Sequence, residues 1–128
     1  MIKAKKEIAK GILPYMHKGI TLMLDAGTTN LLVAEELCLL SGITIITNSF
    51  DIALKLRPSI TERSNEVILI GGSISLRAPA TTGSTTVSDI RRYHADIAIL
   101  SPVGIDAEKG ACNFDFQEAD VARTIKAR

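Results

Sequence analysis

Three times in this chain an apolar run ends in a short turn of small polar residues: residues 22–29 (LMLDAGTT), 43–49 (ITIITNS) and 67–73 (VILIGGS). Each run has the length of a buried strand, and each turn has the composition of a loop that approaches a ligand closely. Strands of an open parallel sheet finish at one edge, so the loops that follow them converge however far apart they lie in sequence. The pattern restricts the chain to an α/β architecture and points to loop residues as the place where function is carried.

Apolar periodicity between the turns completes the outline. It predicts strands over 20–24, 43–47, 67–70 and 96–101, and helices over 29–40, 49–56 (ending near Pro58) and 84–93, with a last helix from Gln117 onward. Ahead of them, Ile8, Ile12 and Met16 form a stripe on a helix that Pro14 bends and Gly19 stops. Strands alternating with helices predict an open, mostly parallel sheet with right-handed crossovers and helices on both faces. Two connections are long for such a fold, residues 71–83 and 102–116, and both begin where strands end. Long ordered loops in compact domains are commonly functional.

At 128 residues and 46% hydrophobic content, the chain is long enough for one domain, residues 1–128, with its own core. Fifteen basic residues against 14 acidic ones give no strongly positive surface, which argues against DNA binding by this segment itself. No apolar run approaches the ~20 residues of a membrane span. The lysine-rich first residues lack the apolar centre of a signal peptide, so a cytoplasmic location and no membrane partner are expected. Cys38 and Cys112 stand far apart, outside any paired-cysteine spacing, and read as reduced structural residues. His17 and His94 are isolated and read as surface or capping residues; no metal site and no cofactor are expected.

The chemistry lies in the turns. In Asp25-Ala26-Gly27-Thr28-Thr29, a glycine allows close approach, and two hydroxyls join the first amides of the next helix in a cradle for an anion. The plainer alternative is a strand-to-helix turn in which Thr28 or Thr29 is the N-cap. Thr47-Asn48-Ser49 offers neutral hydrogen-bonding groups suited to sugar hydroxyls, against an N-cap role for Asn48 or Ser49. Gly71-Gly72 is either a flexible turn or a pair of bare amides facing a bound group. Arg77 is the side-chain cation best suited to a phosphate, since its fork of donors matches phosphate oxygens. Asp106 and Glu118 follow the fourth strand and open the last helix; with Asp25 they either hydrogen-bond a polyol or exchange protons with it, while Glu118 and Asp120 also suit a helix N-terminus for dipole reasons alone.

Taken in order, Asp25-Ala26-Gly27-Thr28-Thr29, Thr47-Asn48-Ser49-Phe50-Asp51-Ile52-Ala53, Gly71-Gly72, Gly83, Gly104-Ile105-Asp106 and Glu118-Ala119-Asp120-Val121 make a series. Over nearly its whole length the chain resembles the C-terminal effector-sensor domain of DeoR-family bacterial transcriptional regulators. The resemblance implies a fold similar to ribose-5-phosphate isomerase, glucosamine-6-phosphate deaminase and coenzyme A transferases, used as a receptor for a phosphorylated sugar or related metabolite. It implies ligand contacts at Asp25, Gly27, Thr28, Thr29, Thr47, Asn48, Ser49, Gly71, Gly72, Asp106 and Glu118, to which the loop cation Arg77 is added. It also implies a homo-oligomer that meets operator DNA only through an N-terminal helix-turn-helix absent from this segment. Two positions depart from the family pattern: Ala122 stands where lysine is common, and a further strand ending in an Asp-Ser-Ser-Lys-like motif lies beyond Arg128.

Two other functions fit the same outline. A sugar-phosphate isomerase or deaminase would use Asp25, Asp106 or Glu118 for proton transfer. It would also need a cation to stabilise the developing oxyanion, and only Arg77 is an obvious candidate. A purely oligomeric module with a vestigial pocket is the third.

Overall fold

The structure is a computed structural model, and it describes Gly11, Pro14, residues 16–100, Val121 and residues 123–125. Four strands, β1 (Thr21–Leu24), β2 (Thr44–Thr47), β3 (Glu66–Leu69) and β6 (Ile97–Ile99), form one sheet in the order β3-β2-β1-β6. Every pairing in it is parallel. The chain steps outward from β1 to β2 to β3, then returns to the far side of β1 for β6. Strand order thus reverses between β1 and β6, which is where open parallel sheets leave a crevice beyond their carboxyl ends.

Period-two alternation assigns the strand side chains to two layers. Leu22, Leu24 and Ile45 face one side, packed with Val33, Ala34 and Leu37 of α1 (Thr28–Leu37) and Ile52 and Leu56 of α2 (Phe50–Leu56). Met23, Ile46 and Ile68 face the other, with Ile70, Ile90 of α4 (Ser84–Ile90), Val121 and Ile125. Both faces are therefore covered by helices, as the alternation predicts. Fully covered central strands explain why β1 and β2 are runs of Leu, Ile and Met rather than alternating with polar residues.

Several boundaries differ from the sequence expectation for physical reasons. The first crossover helix ends at Leu37, three residues early, where the amides of Cys38, Leu39 and Leu40 turn back onto Ala34, Glu36 and Leu37. Helical structure does not stop at Pro58: a further short helix, α3 (Pro58–Glu62), begins there with proline in its first turn, where a missing N–H costs nothing. Residues 71–83 are no open loop. They hold a two-stranded antiparallel hairpin of β4 (Ser73–Ile74) and β5 (Thr81–Thr82). The helix over 84–93 stops at Ile90. The connection 102–116, most of the last helix and most of the opening stripe lie outside the described residues.

At the opposite edge of the sheet, Asn65 and Asp96 fix strand entry. Asn65 Oδ1 accepts from the Ile43 amide and its Nδ2 donates to the Leu40 carbonyl, while Asp96 Oδ2 accepts from the Thr21 amide. Cys38 Sγ donates to the Lys55 carbonyl between α1 and α2, and burial pushes its thiol pKa up.

Candidate functional site

Register decides what the rim contains. Leu24 pairs with Thr47 and Ile99, and Thr47 with Leu69, so the four strands end level and residues 25, 48, 70 and 100 leave them side by side. Adjacent strands lie about 4.8 Å apart, which makes the turns after β1 and β2 immediate neighbours.

The turn after β1 sits at the reversal of strand order. Its base is clamped: the Asp25 amide donates to the Ile99 carbonyl at 3.0 Å, and buried Asn30 donates through Nδ2 to the carbonyls of Asp25 (2.7 Å) and Ile99 (3.1 Å). Asp25 is itself buried, and its Oδ1 accepts from the Ala26 amide at 2.8 Å. Above this base the turn opens outward, with Gly27 and Thr28 exposed. Gly27 is the N-cap of α1 at φ 149° and ψ 156°, a backbone state reserved for glycine, and it supplies no capping side chain. Thr28 and Thr29 are thus the first two helical residues, so the plainer alternative, in which one of them is the N-cap, is not what the structure has. The first turn of α1 carries no acidic residue. The positive end of a ten-residue helix faces the rim, with the buried Asp25 carboxylate two residues before its cap.

The turn after β2 is built the other way. Thr47, Asn48 and Ser49 are all buried. Thr47 Oγ1 donates to the Leu24 carbonyl at 2.8 Å and accepts from the Ser49 amide at 3.1 Å. Ser49 is the N-cap of α2, its Oγ accepting from the Ile52 amide at 3.2 Å. Asn48 donates through Nδ2 to the Thr81 carbonyl at 2.8 Å, and its own carbonyl accepts from the Thr81 amide at 2.8 Å. Its Oδ1 is buried with no hydrogen-bond partner.

Beyond β3, Gly71 and Gly72 are exposed; a Cβ at Gly71 would meet nothing, whereas packing dictates the glycine at 72. Gly72 lies at φ 149°, and a Cβ there would run into Thr86 Oγ1 and stand 3.0 Å from the Thr82 carbonyl. Thr86 Oγ1 in turn donates to the Gly71 carbonyl at 2.8 Å. Gly72 lets the first turn of α4 close against the end of β3, a packing role that neither alternative for the glycine pair included.

The β4–β5 hairpin is tied across the rim. Ala80 bridges Ser49, the Phe50 amide donates to the Pro79 carbonyl at 3.0 Å, and Thr81 Oγ1 donates to the Ile70 carbonyl at 2.8 Å. Thr81 and Thr82 are buried rim residues that sequence reasoning missed, because two-residue strands are too short to show a period; the nearest available signal was the threonine pair after Pro79-Ala80. Arg77 is exposed in the connection between β4 and β5, its amide donating to Ser75 Oγ at 3.1 Å.

The structure therefore gathers Asp25, Gly27, Thr28, Thr29, Thr47, Asn48, Ser49, Gly71 and Gly72 at one edge. Asp106 and Glu118 lie outside the described residues. Among the described residues, no group of three or more His, Cys, Asp or Glu is placed to hold a metal ion. His17 and His94 are exposed, and no described helix is long and apolar enough to cross a membrane.

Comparison with known proteins finds relatives along nearly the whole chain. The glycerol-3-phosphate regulon repressor of Escherichia coli (strain K12) is 31% identical over 121 residues, covering 94% of this chain and 47% of the repressor. The HTH-type transcriptional regulator GolR of Listeria innocua serovar 6a is 31% identical over 129 residues, covering 99% and 49%. The HTH-type transcriptional repressor CsqR of Escherichia coli (strain K12) is 30% identical over 125 residues, covering 96% and 46%. The chain thus spans about half the length of the curated relatives it matches. No solved structure matches it significantly. All three relatives are named as regulators. The family model of the DeoR C terminal sensor domain matches residues 1–128, and with the fold and rim motifs described above it establishes that the chain belongs to the DeoR C-terminal sensor domain family.

Proposed function

We propose that this domain is the effector sensor of a DeoR-type transcriptional regulator, and that its crevice binds a small phosphorylated sugar or related metabolite. The observation that carries the reading is the N-terminus of α1. It lies at the point where strand order reverses, is capped by an exposed glycine with no side-chain hydrogen bond, and has no acid in its first turn. Such a terminus attracts a phosphate through its dipole and first-turn amides. Gly27, Thr28 and Thr29 form the anion cradle above the base that Asp25 and Asn30 fix to Ile99, while Thr47 and Ser49 are held within the neighbouring turn. Asn48, Gly71 and Gly72 stand along the adjoining rim, with Arg77 on the hairpin beside it. Asp106 and Glu118 would complete the rim from the segment after β6.

Residues 1–128 form a single sensor domain in this reading, and operator DNA is met through a helix-turn-helix elsewhere in the protein, in the cytoplasm. Exposed Leu69, Ile74 and Leu76, on β3 and the hairpin that follows it, supply apolar surface for assembly into a homo-oligomer. If occupancy changes operator affinity about 100-fold, the ligand must distinguish the two conformations by about 2.7 kcal/mol, within reach of one or two charge-assisted hydrogen bonds. That an E. coli relative is named for the glycerol-3-phosphate regulon makes glycerol 3-phosphate a natural first probe.

The test is a thermal-shift panel on the full-length regulator, comparing phosphorylated sugars and polyols with their non-phosphorylated counterparts. A phosphorylated compound raises the melting temperature and its parent alcohol does not. Thr28→Val, compared with wild type at matched fractions folded, weakens that compound about tenfold. No response to any phosphorylated compound overturns the reading.

A further inference from the structure

Resting on the homo-oligomer just proposed, we infer that its two-fold contact is made edge to edge through β3: the strand pairs antiparallel with β3 of a second copy, with Ile68 on the axis, and joins two sheets into one. β3 stands at one end of the sheet, and among the described residues it pairs only with β2. The amides of Glu66 and Ile70 donate to the carbonyls of Ile43 and Thr47, so the backbone groups of residues 66, 68 and 70 face β2. Those of Val67 and Leu69 therefore point outward along the open edge. Such an edge is a template for another strand, and proteins that avoid pairing there use lysine, proline or a bulge. β3 has none of these: it is Glu66, Val67, Ile68 and Leu69, in unbroken parallel register with β2.

Symmetry, charge and apolar surface all name a second copy as the occupant. The outward positions 67 and 69 are symmetric about 68, so an antiparallel copy sets Val67 against Leu69 of the partner subunit and Leu69 against the partner's Val67, and each such pair exchanges two hydrogen bonds. Residues 67–76 (VILIGGSISL) carry no charge, so identical edges meet without like-charge repulsion. Antiparallel pairing also lays the hairpin that follows one β3 beside the segment that precedes the other. Those two segments and β3 hold four of the six exposed large hydrophobic residues among the described ones: Leu69, Ile74, the fully exposed Leu76, and Ile60 of α3. β5 makes the contacts to the turn after β2, so β4, with Ile74, is the outer strand of the hairpin. A lone strand from another protein satisfies the backbone edge and leaves this apolar surface open. Because Asn48 and Ser49 anchor the same hairpin at the rim, the crevice and the interface share one element.

The experiment uses the full-length regulator and two kinds of variant. Directly opposed residues of a non-hydrogen-bonded antiparallel pair have Cα atoms about 4.5 Å apart, within disulfide reach, so Ile68→Cys should cross-link two copies under mild oxidation and release them on reduction. Glu66→Cys is the control: two residues from the axis in each copy, the pair would stand about 14 Å apart, and it should link no more than wild type. Leu69→Lys puts a charge on the edge and should raise the dissociation constant of the dimer at least about tenfold, read by sedimentation over a dilution series. A regulator that self-associates but links no more at 68 than at 66, or whose association Leu69→Lys leaves unchanged, overturns the inference and leaves the homo-oligomer standing. If one variant fails to fold, the other decides alone. A wild-type protein that stays monomeric throughout, including one whose edge is taken by a strand of another protein, overturns the homo-oligomer and this inference together.

Discussion

The turns after β1 and β2 draw on the same small, polar residues, leave adjacent strands at the same level and each start a helix, yet one opens to solvent and the other closes. After β1, the hydrogen bonds lie below the turn: Asn30 and the Asp25 amide lock onto Ile99, and Gly27 and Thr28 stand exposed above them. After β2, Thr47, Ser49 and Asn48 Nδ2 are engaged by Leu24, Ile52 and Thr81, and the hairpin covers them. Neighbours decide the difference. The turn after β2 is overlain by the β4–β5 hairpin, so its polar groups must be satisfied internally or lose free energy, whereas the turn after β1 leads out at the reversal of strand order. A rim can thus be assembled from one rigid wall and one open cradle.

Removing the lock beneath the open turn should have the largest effect. Asn30→Ala leaves the Asp25 carbonyl without its side-chain donor in a buried site and is expected to cost about 3 kcal/mol, read as a lowered denaturation midpoint with an unchanged slope. Phosphate-ester binding should fall with it, because the cradle loses its base. In the closed turn, Thr47→Val keeps shape but strips one donor and one acceptor, at about 2 kcal/mol by the same measurement. Equal losses of ligand binding in the two variants, out of proportion to stability, would contradict the division into wall and cradle. The smallest effect belongs to Ser49→Ala: loss of a helix cap, about 1 kcal/mol in a denaturation curve, with the ligand response retained. If Ser49→Ala abolished that response at intact stability, the closed turn would have to be redrawn as a contact surface.

Much of this was legible in the residues because the physics involved is local. A run such as Ile43–Ile46 followed by Thr-Asn-Ser has only one economical use in an α/β chain, and four such strands give a parallel sheet with its loops on one edge. Ser49 as a cap was among the options its residue type allows. The hairpin was not legible, since β4 and β5 are two residues each and owe their pairing to Asn48, Ser49 and Phe50 from another part of the chain. Nor was the role of Gly72, which depends on Thr86 fourteen positions later.

Sequence alone therefore determined the architecture, the family and the edge at which the polar turns gather, because apolar period and turn chemistry are properties of short segments. Which polar residues remain available there was decided only by tertiary structure. Strand order, register and the folded-back hairpin set how those residues are used: Gly27 and Thr28 are exposed, Thr47 and Ser49 are engaged within the protein, and Asn48 Oδ1 is buried without a hydrogen-bond partner.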